Sequence, residues 1–286
     1  MKILIRLCFV LFFGTQLYGQ NSYLNERYKR NVNSINPSLA LGDSCYYLAS
    51  DKHNNSKLYH YTKINHQGLI VDSLNFIFND TLTGIENCKG CLQVHKGVLY
   101  NMYTNFPNNS GNDTAAIVLS KIHLNLKDTV ESKVFTIEGY KAVAAESSFF
   151  DSDTTFLITG YAARYVGANL NYKYDLLLAK FDTSFNLIWA TTVSENTPIN
   201  VGFGPIGANI IVDDYGGILV SGNPYVEPLP KIGFAARFDA KTGDSLWYKE
   251  FKGDYGIGGM YTAKRDDGNY QFIQNQIDQT DIFYLN

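Results

Sequence analysis

Two cysteines three residues apart, in Cys88-Lys-Gly-Cys91, are the sharpest chemical signal in the chain. That spacing suits a redox pair, a metal clip or a small local disulfide. A thioredoxin-type pair needs its first cysteine at a helix N-terminus, where the thiolate is stabilised, and no helical pattern surrounds Cys88. Zinc needs two further ligands at matching spacing, and none is evident. A haem attachment needs histidine after the second cysteine, and Leu92 stands there. A local disulfide of Cys88 and Cys91, or two plain thiols, is the expectation, with Cys45 left over.

The remaining polar chemistry is thinner. His53, His60, His66, His95 and His123 form no helical i, i+4 pair. The acidic stretches Asp151-Ser-Asp153, Asp213-Asp214 and Asp266-Asp267-Gly268 lack the twelve-residue ladder of oxygen ligands that an EF-type calcium loop requires. They recur at one place in a repeating pattern, so turn formation explains them better. No G-x-S-x-G, P-loop or paired-carboxylate motif stands out. The sequence therefore assigns no catalytic residue, no metal site and no cofactor. What it offers for binding is a set of side chains suited to stacking on sugars or peptides: Tyr103, Tyr161, Arg164, Tyr165, Tyr225 and Tyr255.

The elements that would position these groups follow from an internal repeat, the feature to seek first. An apolar run leads into a basic residue, an apolar residue and a turn-former, and then a second apolar run. The pattern passes through Lys63-Ile-Asn65, Lys121-Ile-His123, Lys180-Phe-Asp182 and Arg237-Phe-Asp239, at intervals of 58, 59 and 57 residues. Each copy reads as a hairpin, because Asn, Asp and Gly close turns between strands. Two further strands precede each hairpin, as in Ala208–Val212 and Ile218–Ser221. A fifth copy begins at Met260. Tyr and Phe, 21 and 18 in number, recur in short runs that favour a pleated surface over a helix. Four short, locally connected strands per unit predict an all-β fold, a β-propeller of four-stranded blades.

The last unit is incomplete. Asp281–Asn286 aligns with Asp175–Lys180, so the fourth strand of that unit is missing. Residues 20–35 could supply it, or further sequence follows. The polarity of Ser22–Ile35 favours the second expectation. In a propeller the connections between blades, and between second and third strands, emerge on one face. The long ones are expected at 76–90, 105–113, 161–174, 194–206 and 223–230, with the six candidate binding residues in or beside them.

At the fourth hairpin, Asp239-Ala-Lys-Thr-Gly243-Asp-Ser-Leu-Trp247 resembles the D-x-x-T-G-x-x-x-W signature of quinoprotein (PQQ-like) propeller repeats. The third copy, Asp182 to Trp189, is a degenerate version with Asn186 near the glycine place. The first keeps Gly68 without a Trp, and the second keeps neither. The resemblance implies a structural role for Trp189 and Trp247, docking on the neighbouring blade. It does not imply a bound quinone, since quinoprotein dehydrogenases are much longer and many carry adjacent cysteines. The hairpin also has the wrong spacing for the Asp-box of sialidases, and no arginine cluster for a carboxylate accompanies it. The chain as a whole is similar to exported, Tyr- and Asn-rich propeller proteins of Bacteroidota.

Export is expected from the N-terminus as well. Lys2 and Arg6 flank the apolar run Leu7–Phe13, and Leu17-Tyr-Gly19 resembles a cleavage site, so residues 1–19 read as a signal peptide and 20–286 as the repeat domain. The location would be secreted, periplasmic or cell-surface. No later segment reaches the roughly 20 apolar residues of a membrane span. The net charge of −3 disfavours nucleic acid, which needs a basic surface. A non-catalytic module for a glycan, peptide or protein is the leading expectation. A propeller enzyme, glycoside-active or a PQQ-type oxidoreductase, is the alternative.

Overall fold

The computed structural model describes residues 38–42, 44–51, 58–77, 82–107, 115–127, 129–166, 171–194, 202–213, 215–226, 232–252, 257–264, 270–276 and 280–285. The leader, and residues 20–35 as a source of the missing strand, lie outside this set. Every regular element among the described residues is a strand, and they fall into five successive units.

The first unit is β1 (Ser38–Leu41), β2 (Cys45–Asp51), β3 (Leu58–Asn65) and β4 (Ile70–Ile77). The second is β5 (Leu82–His95), β6 (Val98–Pro107), β7 (Ala116–His123) and β8 (Thr129–Phe135). The third is β9 (Ala142–Phe150), β10 (Thr155–Val166), β11 (Asn171–Asp182) and β12 (Leu187–Val193). The fourth is β13 (Gly202–Val212), β14 (Gly217–Val226), β15 (Ile232–Asp239) and β16 (Ser245–Lys252). Three strands make the fifth: β17 (Ile257–Lys264), β18 (Tyr270–Gln276) and β19 (Thr280–Leu285).

Within each unit consecutive strands pair antiparallel, in chain order. The first strands of successive units lie side by side, β1 with β5, β5 with β9, β9 with β13 and β13 with β17. Units thus succeed one another around a common centre, each sheet covering the face of the next. This is a β-propeller. The apolar core lies between units, because a single four-stranded sheet cannot bury its own faces. One cluster joins Tyr47 and Tyr61 of the first unit to Leu92, Leu99 and Leu126 of the second. Another joins Met102 and Ile117 to Phe156 and Phe181, and a third joins Leu157 and Leu178 to Val220 and Phe238.

All four hairpins share one irregularity. The register shifts directly after the basic residue, at Lys63/Ile64, Lys121/Ile122, Lys180/Phe181 and Arg237/Phe238. The chain then turns through a residue of positive φ: Gly68 (82°), Leu126 (52°), Phe185 (61°) or Gly243 (77°). In three hairpins an Asn or Asp side chain builds the turn. Asn65 Oδ1 accepts from the Gln67 and Leu69 amides, Asp182 Oδ1 from Ser184 and Asn186, and Asp239 Oδ1 from Lys241 and Thr242. The left-handed position of the third hairpin is Phe185, not its neighbour Asn186.

The expected long connections are shorter than the sequence suggested. Strand β5 begins at Leu82, β6 continues to Pro107, β10 to Val166, and β11 starts at Asn171. Tyr161–Val166 and Asn171–Tyr174 are therefore ladder rather than loop, with Tyr165 paired to Tyr172. The cause is pairing between facing aromatic and polar positions, which a strand tolerates well beyond its apolar run.

Candidate functional site

Strands β10 and β11 form the longest uninterrupted ladder in the third unit, and at its far end the polar side chains converge. Position 162 pairs with 175 and 164 with 173, so Arg164 and Asp175 lie on one face of the sheet. Asp175 is a buried carboxylate. Its Oδ2 accepts from the Tyr140 hydroxyl (2.7 Å) and lies 3.3 Å from Arg164 Nη2. The Tyr140 hydroxyl also shares a hydrogen bond with Thr192 Oγ1 (2.9 Å), and Arg164 Nη2 donates to Ser194 Oγ (3.1 Å). Tyr140 comes from the connection between units, Arg164 from β10, Asp175 from β11, and Thr192 and Ser194 from β12 and its end.

Two atoms of this group have no hydrogen-bond partner among the described residues: Asp175 Oδ1 and Arg164 Nε. Both are buried. Leaving a buried polar group unmet costs about 1–3 kcal/mol, and more when it is charged. Burial, with the bond to Asp175, outweighs the Thr192 bond and raises the Tyr140 hydroxyl above its ordinary value, so it remains a neutral donor. Arg164 is the open side of the group, its side chain 41% exposed against 0% for Asp175.

Of the six residues expected to bind, Arg164 belongs to this group and Tyr161 does not. Tyr161 pairs with Leu176, which places it on the opposite sheet face from Arg164, and there its ring meets Tyr174 edge to face at 5.3 Å. Tyr103 lies on β6 and is 1% exposed, so its ring is core and is not offered to a ligand. Burial raises its hydroxyl far above the ordinary tyrosine value. Tyr165 and Tyr225 lie in β10 and β14, and Tyr255 lies outside the described residues. The sequence reading missed Tyr140, Asp175 and Thr192. Asp175 carried a signal, as a charged residue opening an otherwise apolar strand, Asp175-Leu-Leu-Leu-Ala.

The other singled-out residues have defined places. Cys88 and Cys91 form a disulfide within β5, with Cα atoms 5.4 Å apart, and Cys45 is a buried free thiol. Trp189 packs on the core between third and fourth units, and a Cβ on Gly243 would come within 2.6 Å of its ring. Trp247 packs on the Leu219–Ala235 cluster, against which Tyr270 of the fifth unit also packs. Asp151 and Asp213 hold the basic residues of their own units, Lys180 at 2.6 Å and Arg237 at 2.8 Å.

Fold and site define the class, a β-propeller with a buried carboxylate, Asp175, hydrogen-bonded within a polar group at a strand end. No family model matches the sequence, and no curated protein does. Among solved structures, the fold is similar to a protein of unknown function from Dyadobacter fermentans, with a TM-score of 0.55 at 10% identity over 88% of this chain and 79% of that one. It is also similar to a subtype N10 neuraminidase-like protein of A/little yellow-shouldered bat/Guatemala, with a TM-score of 0.52 at 13% identity over 88% and 81%. A xylan β-1,4-xylosidase from Bacillus halodurans aligns at 15% identity with a TM-score of 0.49, and this chain spans 53% of its length.

Proposed function

We propose that this is an exported β-propeller that binds a glycan at the end of its third unit. The observation that carries the reading is the Tyr140–Asp175–Arg164 group with its open guanidinium. Hydroxyl, carboxylate and guanidinium converge from three segments of chain on a rigid sheet, a set of donors and acceptors that suits sugar hydroxyls. A buried carboxylate left partly unsatisfied is expensive for stability alone. The leader-like residues 1–19 support a role outside the cytoplasm. The hairpin likeness to PQQ-like repeats is taken as scaffold, in the manner of non-catalytic propellers of Bacteroidota.

A second reading is cleavage of a glycosidic bond. It is favoured by the same Asp175, buried and hydrogen-bonded by a tyrosine, and by a protein named as neuraminidase-like among those of similar fold. Hydrolysis ordinarily needs two carboxylates flanking the bond, roughly 5–9.5 Å apart. Among the described residues the group holds one.

The two readings separate on the mature protein. Saturable binding to immobilised oligosaccharides without release of reducing ends is expected. Arg164→Ala should weaken it at least tenfold, while Tyr161→Ala, on the far face, should leave it within about threefold. Steady release of reducing sugar abolished by Asp175→Asn would establish the enzyme instead. Binding indifferent to Arg164→Ala would remove this site from the account.

A further inference from the structure

We infer that the group around Asp175 selects a neutral sugar through one hydroxyl, and that it discriminates against acidic sugars; the inference rests on the glycan-binding reading above. The two unmet atoms differ in kind. Asp175 Oδ1 is an acceptor without a donor, and Arg164 Nε is a donor without an acceptor. They sit on the two partners of one ion pair, joined through Nη2 and Oδ2, so a guest that both accepts and donates matches what the pair lacks. A hydroxyl does this. A carboxylate cannot, because it only accepts and would bring its charge against that of Asp175.

The positive charge of Arg164 is already committed. Its Nη2 serves Asp175 Oδ2 and Ser194 Oγ, so it is not poised as an anion clamp. Lys173, paired across from Arg164, and the exposed Lys141 beside Tyr140 add positive charge nearby, and Glu138 adds a negative one. These set a background field. The hydrogen-bond pattern at the buried pair sets the choice. Both atoms are buried, and the half-exposed Arg164 side chain is the side from which a hydroxyl would reach them as that side chain shifts.

The test compares xylohexaose and cellohexaose with hexagalacturonate by calorimetry on the mature protein. A neutral hexaose is expected to bind at least tenfold more tightly than the uronate. In Asp175→Asn, which removes the opposing charge, neutral binding should fall about tenfold or more while hexagalacturonate binding rises. Arg164→Lys keeps the charge and removes Nε, and should lose neutral binding even if Asp175→Asn folds poorly. A wild-type preference for the uronate, or unchanged selectivity in Asp175→Asn, overturns the inference while leaving glycan binding intact. Failure to bind any of the three sugars removes both.

Discussion

The basic residue that marks the repeat does two jobs in space. Lys63 Nζ donates to the Leu124 carbonyl and Lys180 Nζ to the Ala240 carbonyl, in each case the hairpin turn of the following unit. Lys180 and Arg237 also grip the first turn of their own unit, through Asp151 and Asp213. Lys121 lies over the Phe185 ring of the next turn at 4.7 Å. The periodic lysine is thus a seam residue, and its 58-residue spacing is the spacing of seams. Burial works to raise the Asp213 carboxyl, but the Gly217 amide, the Arg237 guanidinium and the Tyr215 amide outweigh it and hold the value below the ordinary one. A depressed folded value means the contribution is complete above about pH 4 and lost as pH falls through the folded value. Asp213→Ala should cost about 2 kcal/mol at pH 7, read from urea unfolding, with the gap to wild type closing as pH falls below about 4. At this scale the sequence was a good guide to turn acids, whose partners are local. It was a poor guide to Tyr140 and Asp175, whose meeting needs 35 residues of intervening ladder to bring them together.

The hairpin turns show how an element adapts to its neighbour. In the second, third and fourth units the left-handed residue of the turn packs towards the preceding unit, where Leu126 enters the first core and Phe185 the second. In those seams the outer-strand residue opposite the lysine is Asp72 or Glu131. At the next seam the order is reversed: Trp189 stands opposite Lys180, and the turn residue beneath it is Gly243. The same space is filled by a large residue from the turn or from the strand, never by both. Gly243→Ala adds a Cβ at a φ of 77° and against the Trp189 ring, so it should cost about 2 kcal/mol or more in thermal or chemical unfolding. Phe185→Gly relieves its backbone but empties the core, about 3–5 kcal/mol, and adding Glu131→Trp should recover a good part of that loss. The strands and hairpins were legible because apolar runs and turn residues alternate locally. Their lengths were not, since the Tyr-rich ends of β10 and β11 are held by cross-strand pairing that composition does not display.

Taken as a whole, the molecule is uneven around its centre. The second and third units form one eight-stranded sheet, whereas the first and fourth are separate sheets. The joint is a bulge in β5 between Asn87 and Leu92, spanned by the Cys88–Cys91 disulfide, from which Lys89 pairs with Ser147 of β9. Gly90, at a φ of 68°, turns its carbonyl to the Ser148 hydroxyl and the Gln93 amide. Salt bridge Lys96–Asp153 and the stack of His95 on Phe150 bind the same seam at the turns that follow β5 and β9. A four-residue loop closed by a disulfide contributes about 2 kcal/mol in the chain-entropy account. Cys88→Ser with Cys91→Ser should lower stability by about that amount and speed hydrogen exchange at Lys89 and Gly90 more than in the fourth unit. Repeat number and order were readable from periodicity alone, while this fusion was not, because it depends on how one strand bends past another.

That joint has a mechanical consequence. A chain of separate blades pulled from its ends should pay out in even steps, one unit after another. Here the Lys89–Ser147 pairing ties two units, and residues 82–193 are expected to release in one long event of roughly 380 Å of contour. Under such a pull that pair would be the stiff link, and the units on either side the ones that yield first.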